Sequence, residues 1–105
     1  MITIKVAEQK EDIFIMKMMD RDEELCEGSI TIGQACEILS ISKDDDIYGY
    51  SMGKALLNLA DHRGIKEVIC SNENLFGLLG KLGFKKVDDI MFLALKGYFS
   101  TICEK

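Results

Sequence analysis

Apolar and polar positions alternate from the start of the chain. Ile2, Ile4 and Val6 are separated by Thr3 and Lys5, which predicts a half-buried strand. Residues 12–19 follow, with Ile13, Phe14 and Ile15 leading into three methionines; their β-branched and aromatic start favours a second strand, whereas the methionines and the preceding Glu11 and Asp12 would suit a helix. Residues 20–28 are strongly acidic and end at Gly28, so they read as a loop or one exposed helical turn. Residues 29–32 and 36–42 are again strand-like, with Gly33 marking a bend or bulge between them.

The second half is patterned more sharply. Met52, Leu56, Leu59 and Ala60 form one apolar stripe at i, i+4, i+7 and i+8, which predicts a helix over 53–63. His62 and Arg63 suit the carbonyl end of its dipole, and Gly64 stops it. Residues 66–70 read as a short strand. Ser71 or Asn72 then caps a second helix whose Leu75, Leu78, Leu79 and Leu82 repeat at i, i+3, i+4 and i+7 before Gly83 ends it. Residues 90–95 are nearly all apolar, as in a strand covered on both faces, and residues 98–103 add an edge strand or a docked tail. The order strand, helix, strand, helix, strand predicts an α/β (α+β) fold in which crossover helices lie over a sheet.

The chain has 105 residues, enough for one domain with its own core. Its net charge of −5 repels phosphate backbones, so nucleic acid is not an expected partner. No apolar stretch approaches the roughly 18 residues a membrane span needs, and the N-terminus lacks the layout of a signal peptide, so a cytoplasmic protein is expected. Cys26, Cys36, Cys70 and Cys103 form no CxxC pair and the chain has one histidine, a distribution that predicts reduced thiols and no metal site.

Chemistry concentrates between the strand ending near Ser42 and the following helix. There Tyr48, Gly49, Tyr50, Ser51, Met52, Gly53 and Lys54 put small residues at a strand-to-helix junction. Main-chain N–H groups and the positive end of a helix dipole meet at such a junction, which suits a phosphate; glycines needed only for a tight turn would give the same string.

Tyr48-Gly-Tyr-Ser-Met-Gly53-Lys-Ala-Leu-Leu57, then Arg63-Gly-Ile-Lys-Glu-Val68, Asn72 and Lys81-Leu-Gly-Phe84 together resemble the GNAT acetyltransferase family, most strongly over 36–95. The resemblance implies an acyl-CoA N-acyltransferase-like mixed sheet splayed into a V, with helices on both faces. It implies acetyl-CoA as co-substrate, without a metal, and an amine acceptor that is a small molecule or a protein. By the same resemblance, main-chain groups of Ile41, Ser42 and Lys43 would meet the pantetheine amides and N–H groups from Tyr50 to Lys54 the pyrophosphate. Asn72 would lie beside the thiol arm. Glu37 is the candidate base, acting through water, unless it is merely a solvated strand residue. The family's motif residues are replaced here by Tyr48 and Ser51, the helix from Gly53 is about one turn shorter than usual, and the tyrosine that protonates the departing thiolate falls at Leu79. The three carboxylates of Asp44, Asp45 and Asp46 precede the anion site, and the first third leaves little room for helices over the acceptor. These departures carry an alternative: a catalytically inactive protein of this fold that senses acyl-CoA or serves as an interaction module. Tyr48, Tyr50, His62 and Cys70 read first as packing or surface residues. Exposed sheet edges in so small a chain make a homodimer an expectation.

Overall fold

The computed structural model describes residues 1–42 and 47–98. Seven strands form one mixed sheet: β1 (Ile2–Lys10), β2 (Ile13–Asp20), β3 (Glu23–Ile32), β4 (Cys36–Ile41), β5 (Glu67–Cys70), β6 (Lys85–Val87) and β7 (Ile90–Ala94). The spatial order is β1-β2-β3-β4-β5-β7-β6. Only β4 and β5 run parallel, joined by the crossover helix α1 (Tyr48–His62); all other neighbours are antiparallel. A short 3-10 turn (Glu73–Leu75) leads into α2 (Phe76–Lys81).

The first four strands form a meander. A tight turn at Glu11 (φ 55) joins β1 to β2 and one at Arg21 (φ 60) joins β2 to β3, so no helix intervenes. Residues 23–32 are therefore a long strand, which corrects the loop or helical turn expected over 20–28. Gly28 had looked like a turn residue. It sits instead on the inner face opposite Met16 and Ile41, where a Cβ would come within 2.7 Å of Met52 Cγ. Its missing side chain is the space α1 occupies. Glu24 and Glu27 of β3 belong to the outer face: Glu27 pairs with Lys17, whose Nζ lies 3.3 Å from Glu24.

Phe14, Met16, Met18, Cys26, Ile30, Ile38 and Ile41 form the buried inner face of this meander, and Met52, Leu56, Leu57 and Ala60 of α1 pack onto it. Arg63 closes the layer with its guanidinium 4.7 Å from the Phe14 ring centre. Thr31, Ser29, Ser40 and Glu37 point to the side away from α1, where Ile13, Ile15 and Lys17 of β2 are half-exposed or exposed.

α1 begins at Tyr48 rather than Gly53, so it has 15 residues and the expected shortening disappears. Gly49 and Gly53 lie on its buried side; a Cβ on Gly53 would meet Leu82 Cδ1 at 2.5 Å. The second glycine of the junction thus serves helix-to-helix approach. Gly64 (φ 81) and Gly83 (φ 107) end the helices as expected.

Beyond α2 the chain differs from the expected second crossover. The strand β6 and a turn at Asp88 (φ 58) intervene, so β7 returns antiparallel to β5. Its side chains also alternate, Met91 and Leu93 buried and Phe92 half-buried, rather than being covered on both faces. The two sheet edges are β1 and β6. The lysines of β1 and its bulge between Val6 and Glu8 discourage edge pairing. Of the expected C-terminal edge or tail only Tyr98 is described; residues 99–105 lie outside the described residues. No helix among the described residues is long and apolar enough to cross a membrane.

Candidate functional site

The site is built where β4 and β5 part. Their pairing consists of Glu37 opposite Ile69, and on the far side of that pair two consecutive residues reach across from the end of β5. Ser71 Oγ–H donates to Glu37 Oε2 at 2.8 Å, and Asn72 Nδ2 donates to the Leu39 carbonyl at 3.2 Å. Leu39 is the extra residue of the register shift between β3 and β4, so its carbonyl is turned out of the β3 ladder and toward β5. Asn72 Oδ1 also accepts from Asn74 N at 3.1 Å, capping the turn that follows. One side chain therefore fixes both the floor of the gap and the start of the next helical segment.

Above that floor, β4 presents a main-chain edge. Ile41 lies opposite Gly28, and Ser42 N donates to the Glu27 carbonyl at 2.7 Å. In an antiparallel ladder this phase turns the N–H and C=O of Ile41 away from β3 and into the gap. Ser42 ends the ladder with its side chain, whose Oγ accepts from Glu27 N at 2.8 Å. Its hydroxyl is thus tied to β3. Lys43 and the three aspartates after it lie outside the described residues.

α1 follows β4 in the chain and packs beside it, an added Cβ on Gly53 lying 3.8 Å from Ile41 Cδ1. Ile47 stands at the N-cap without a side-chain cap bond, and the first turn carries no acidic residue. Ser51 N already donates to the Ile47 carbonyl at 3.1 Å, so α-helical bonding is established by that residue. Met52, Gly53 and Lys54 follow inside the helix, their amides within its i to i−4 ladder. Tyr48, Gly49 and Tyr50 make up the helix start, and Ser51 lies within the helix rather than in a loop before it. Ser51→Gly is expected to lower stability by about 0.5 kcal/mol, the difference in helix propensity, and to lower the melting temperature by a few degrees in a calorimetric scan.

Lys54 projects from the second turn of α1 between two rings, 6.0 Å from the Tyr50 centre and 5.2 Å from that of Tyr98. Tyr98 Oη donates to the Leu82 carbonyl at 2.6 Å, covering the end of α2, and burial, with Tyr50 beside it, pushes its phenol up. Cys70 is wholly buried and its thiol is pushed up, chiefly by desolvation, with the Glu37 carboxylate adding to the effect. A buried, protonated thiol is a poor nucleophile, which argues against an acyl-cysteine. Cys36, pushed up to about 11 by burial, is equally inert. His62 sits in the last turn of α1, remote in sequence and along the helix from its N-terminal end. Leu79 is fully buried.

The structure thus gathers Glu37, Ile41 and Asn72 around one gap, with the start of α1 following β4 by a short connection. Ser71 entered the sequence reading only as an alternative helix cap; its partner Glu37 lies 34 residues away, and no local pattern announces such a bond. A groove of about 480 Å³ lies elsewhere: Gln34, Cys36, Gly64 and Lys66 line it at the opposite ends of β4 and β5. It has neither the splayed main chain nor the helix start, so the gap is the better candidate. No cluster of metal-binding side chains occurs among the described residues.

No family model matches the sequence, and no curated protein does. Solved structures do. A Bacillus subtilis acetyltransferase in complex with CoA superposes with a TM-score of 0.72 at 12% identity, over 90% of this chain and 99% of that one. An aminoglycoside 6'-acetyltransferase type Ii gives 0.69 at 15% identity, over 80% and 70%. The PaiA N-acetyltransferase of Thermoplasma acidophilum, in complex with coenzyme A, gives 0.59 at 21% identity, over 79% and 61%. The chain has the GNAT N-acetyltransferase fold.

Proposed function

We propose that this chain binds acetyl-CoA between β4 and β5 and transfers the acetyl group to an amine, of a small molecule or of a protein. The observation that carries the reading is the gap itself. The two parallel strands part beyond Glu37 and Ile69, the Ile41 main chain faces the opening, and an acid-free helix start follows β4. These are the donor types the coenzyme needs. An extended amide-bearing arm can pair with a main-chain edge as a further strand would, and a diphosphate is stabilised by first-turn amides and the helix dipole. Ile41 would take the arm, with Asn72 setting the width of the gap, and Tyr48, Gly49 and Tyr50 would face the diphosphate. Ser42 and Lys43 would border the arm. Ser51, Met52 and Gly53 would support that turn from within the helix, and Lys54 would flank it.

When bound, acetyl-CoA supplies an activated acyl group. Glu37, on the side of the sheet away from α1, would take a proton from the attacking amine, directly or through one water. The new C–N bond would form as the C–S bond breaks, and the departing thiolate would take its proton from water. A second reading rests on Leu79, where the resemblance places the tyrosine that protonates the thiolate. A buried leucine cannot donate that proton, which favours an inactive acyl-CoA sensor or interaction module. Calorimetric titration with acetyl-CoA tests both readings. Saturation at 100 times the dissociation constant should add about 2.7 kcal/mol of stability and raise the melting temperature. No heat and no thermal shift at millimolar acetyl-CoA would remove the transferase and the sensor alike and leave the interaction module. Binding without thiol release across a panel of spermidine and lysine-bearing peptides would select the sensor.

A further inference from the structure

We infer that Ser71 is a positioning residue for Glu37, holding the carboxylate in the orientation from which it can accept the proton of the acceptor amine. The inference deepens the acetyl-transfer reading and rests on it.

Glu37 is a half-exposed glutamate on a strand face with no helix over it among the described residues, and a long side chain there would ordinarily sample several rotamers. Here it is gripped at both ends. Its main-chain N–H donates to Thr31 Oγ1 at 3.2 Å, fixing the backbone to β3, and its Oε2 accepts the Ser71 hydroxyl at 2.8 Å, fixing the head group to the end of β5. Ser71 is itself held, because Asn72 beside it is anchored to the Leu39 carbonyl and to Asn74 N. Ser71 and Asn72 therefore clasp β4 at two nearby points, one at the carboxylate and one at the gap floor. The bond uses one carboxylate oxygen, and an ionised carboxylate has acceptor capacity beyond one hydrogen bond. The same group can keep Ser71 and still receive a proton. Charge-assisted hydrogen bonds of this kind are stronger than neutral ones, which is what a positioning contact requires at a partly solvated site.

The test is a double-mutant cycle on the full chain, using acetyl-CoA and whichever of spermidine or a lysine-bearing peptide is acetylated faster. Ser71→Ala is expected to lower kcat about five- to tenfold with KM for acetyl-CoA unchanged, and Ser71→Thr, which restores the hydroxyl, to recover most of the loss. In a Glu37→Gln background, Ser71→Ala should have no further effect on kcat. Calorimetry should give the same acetyl-CoA affinity for Ser71→Ala as for the unmodified chain. An unchanged kcat in Ser71→Ala, or an equal loss in both backgrounds, overturns the positioning role while leaving the acetyl-transfer reading intact. Loss of acetyl-CoA binding in Ser71→Ala also overturns it, by making the residue part of the coenzyme site. Full activity of Glu37→Gln overturns both assignments, and absence of acetyl-CoA binding by the unmodified chain overturns the reading beneath them.

Discussion

Gly28→Val is expected to destabilise the protein by about 2–3 kcal/mol and to lower its melting temperature by about 10–20 °C. Gly28 lies mid-strand, where glycine is ordinarily a weak choice and valine would gain in β-propensity. Packing reverses that preference. A Cβ at this position stands 2.7 Å from Met52 Cγ and 3.0 Å from both Met52 Sδ and Leu56 Cδ1, all belonging to fully buried side chains of α1. Two of the three atoms lie in one side chain that is confined from every direction, so relief requires the helix to move outward. A helix displaced from β3 also loses contact with β4, whose Ile38 and Ile41 share the same core. Thermal unfolding followed by circular dichroism measures the loss. Adding Met52→Ala should recover part of it, because the two sites compete for one volume. A valine variant as stable as the unmodified chain would show that α1 does not press on β3 as described.

The same glycine explains where the sequence was and was not readable. Elements whose signals are local emerge directly: the stripe of Met52, Leu56, Leu59 and Ala60, the stops at Gly64 and Gly83, a cap at Ser71 or Asn72 (the structure uses Asn72), and the alternation of β1. Elements whose residues are chosen for a distant partner do not. Gly28 looks like a turn until Met52 is seen against it, and Gly53 looks like a flexible loop until Leu82 is. That one ambiguity moved the start of α1 by five residues and hid the first half of β3. β6 has three exposed residues, Lys85, Lys86 and Val87, too few for any period to show. The site divides in the same way. Glu37, Ile41 and Asn72 were named from their order along the chain, through the family resemblance. The bond that ties Glu37 to Ser71 depends on two strands meeting in parallel, a tertiary fact with no trace in either neighbourhood.

Glu37→Gln should lower kcat for acetyl transfer by about 10²–10⁴-fold while leaving the affinity for acetyl-CoA within about twofold. The substitution keeps the length and shape of the side chain, and the amide oxygen can still accept the Ser71 hydroxyl, so the surrounding structure has no reason to change. What disappears is the ability to accept a proton at neutral pH. Glu37 lies on the pairing side of the Asn72–Leu39 bridge and Ile41 on the gap side, so a loss confined to kcat is the outcome that separates a base from a coenzyme ligand. Stopped-flow detection of thiol release measures kcat, and calorimetry measures affinity on the same preparations. If kcat is retained, the amine loses its proton to water without help from this carboxylate. If affinity falls instead, Glu37 contributes to holding the coenzyme. The predicted size also bears on Leu79. If Leu79 leaves the proposed transfer without a phenol to protonate the thiolate, proton removal from the amine would be the step that Glu37 serves, and a loss at the upper end of that range is expected.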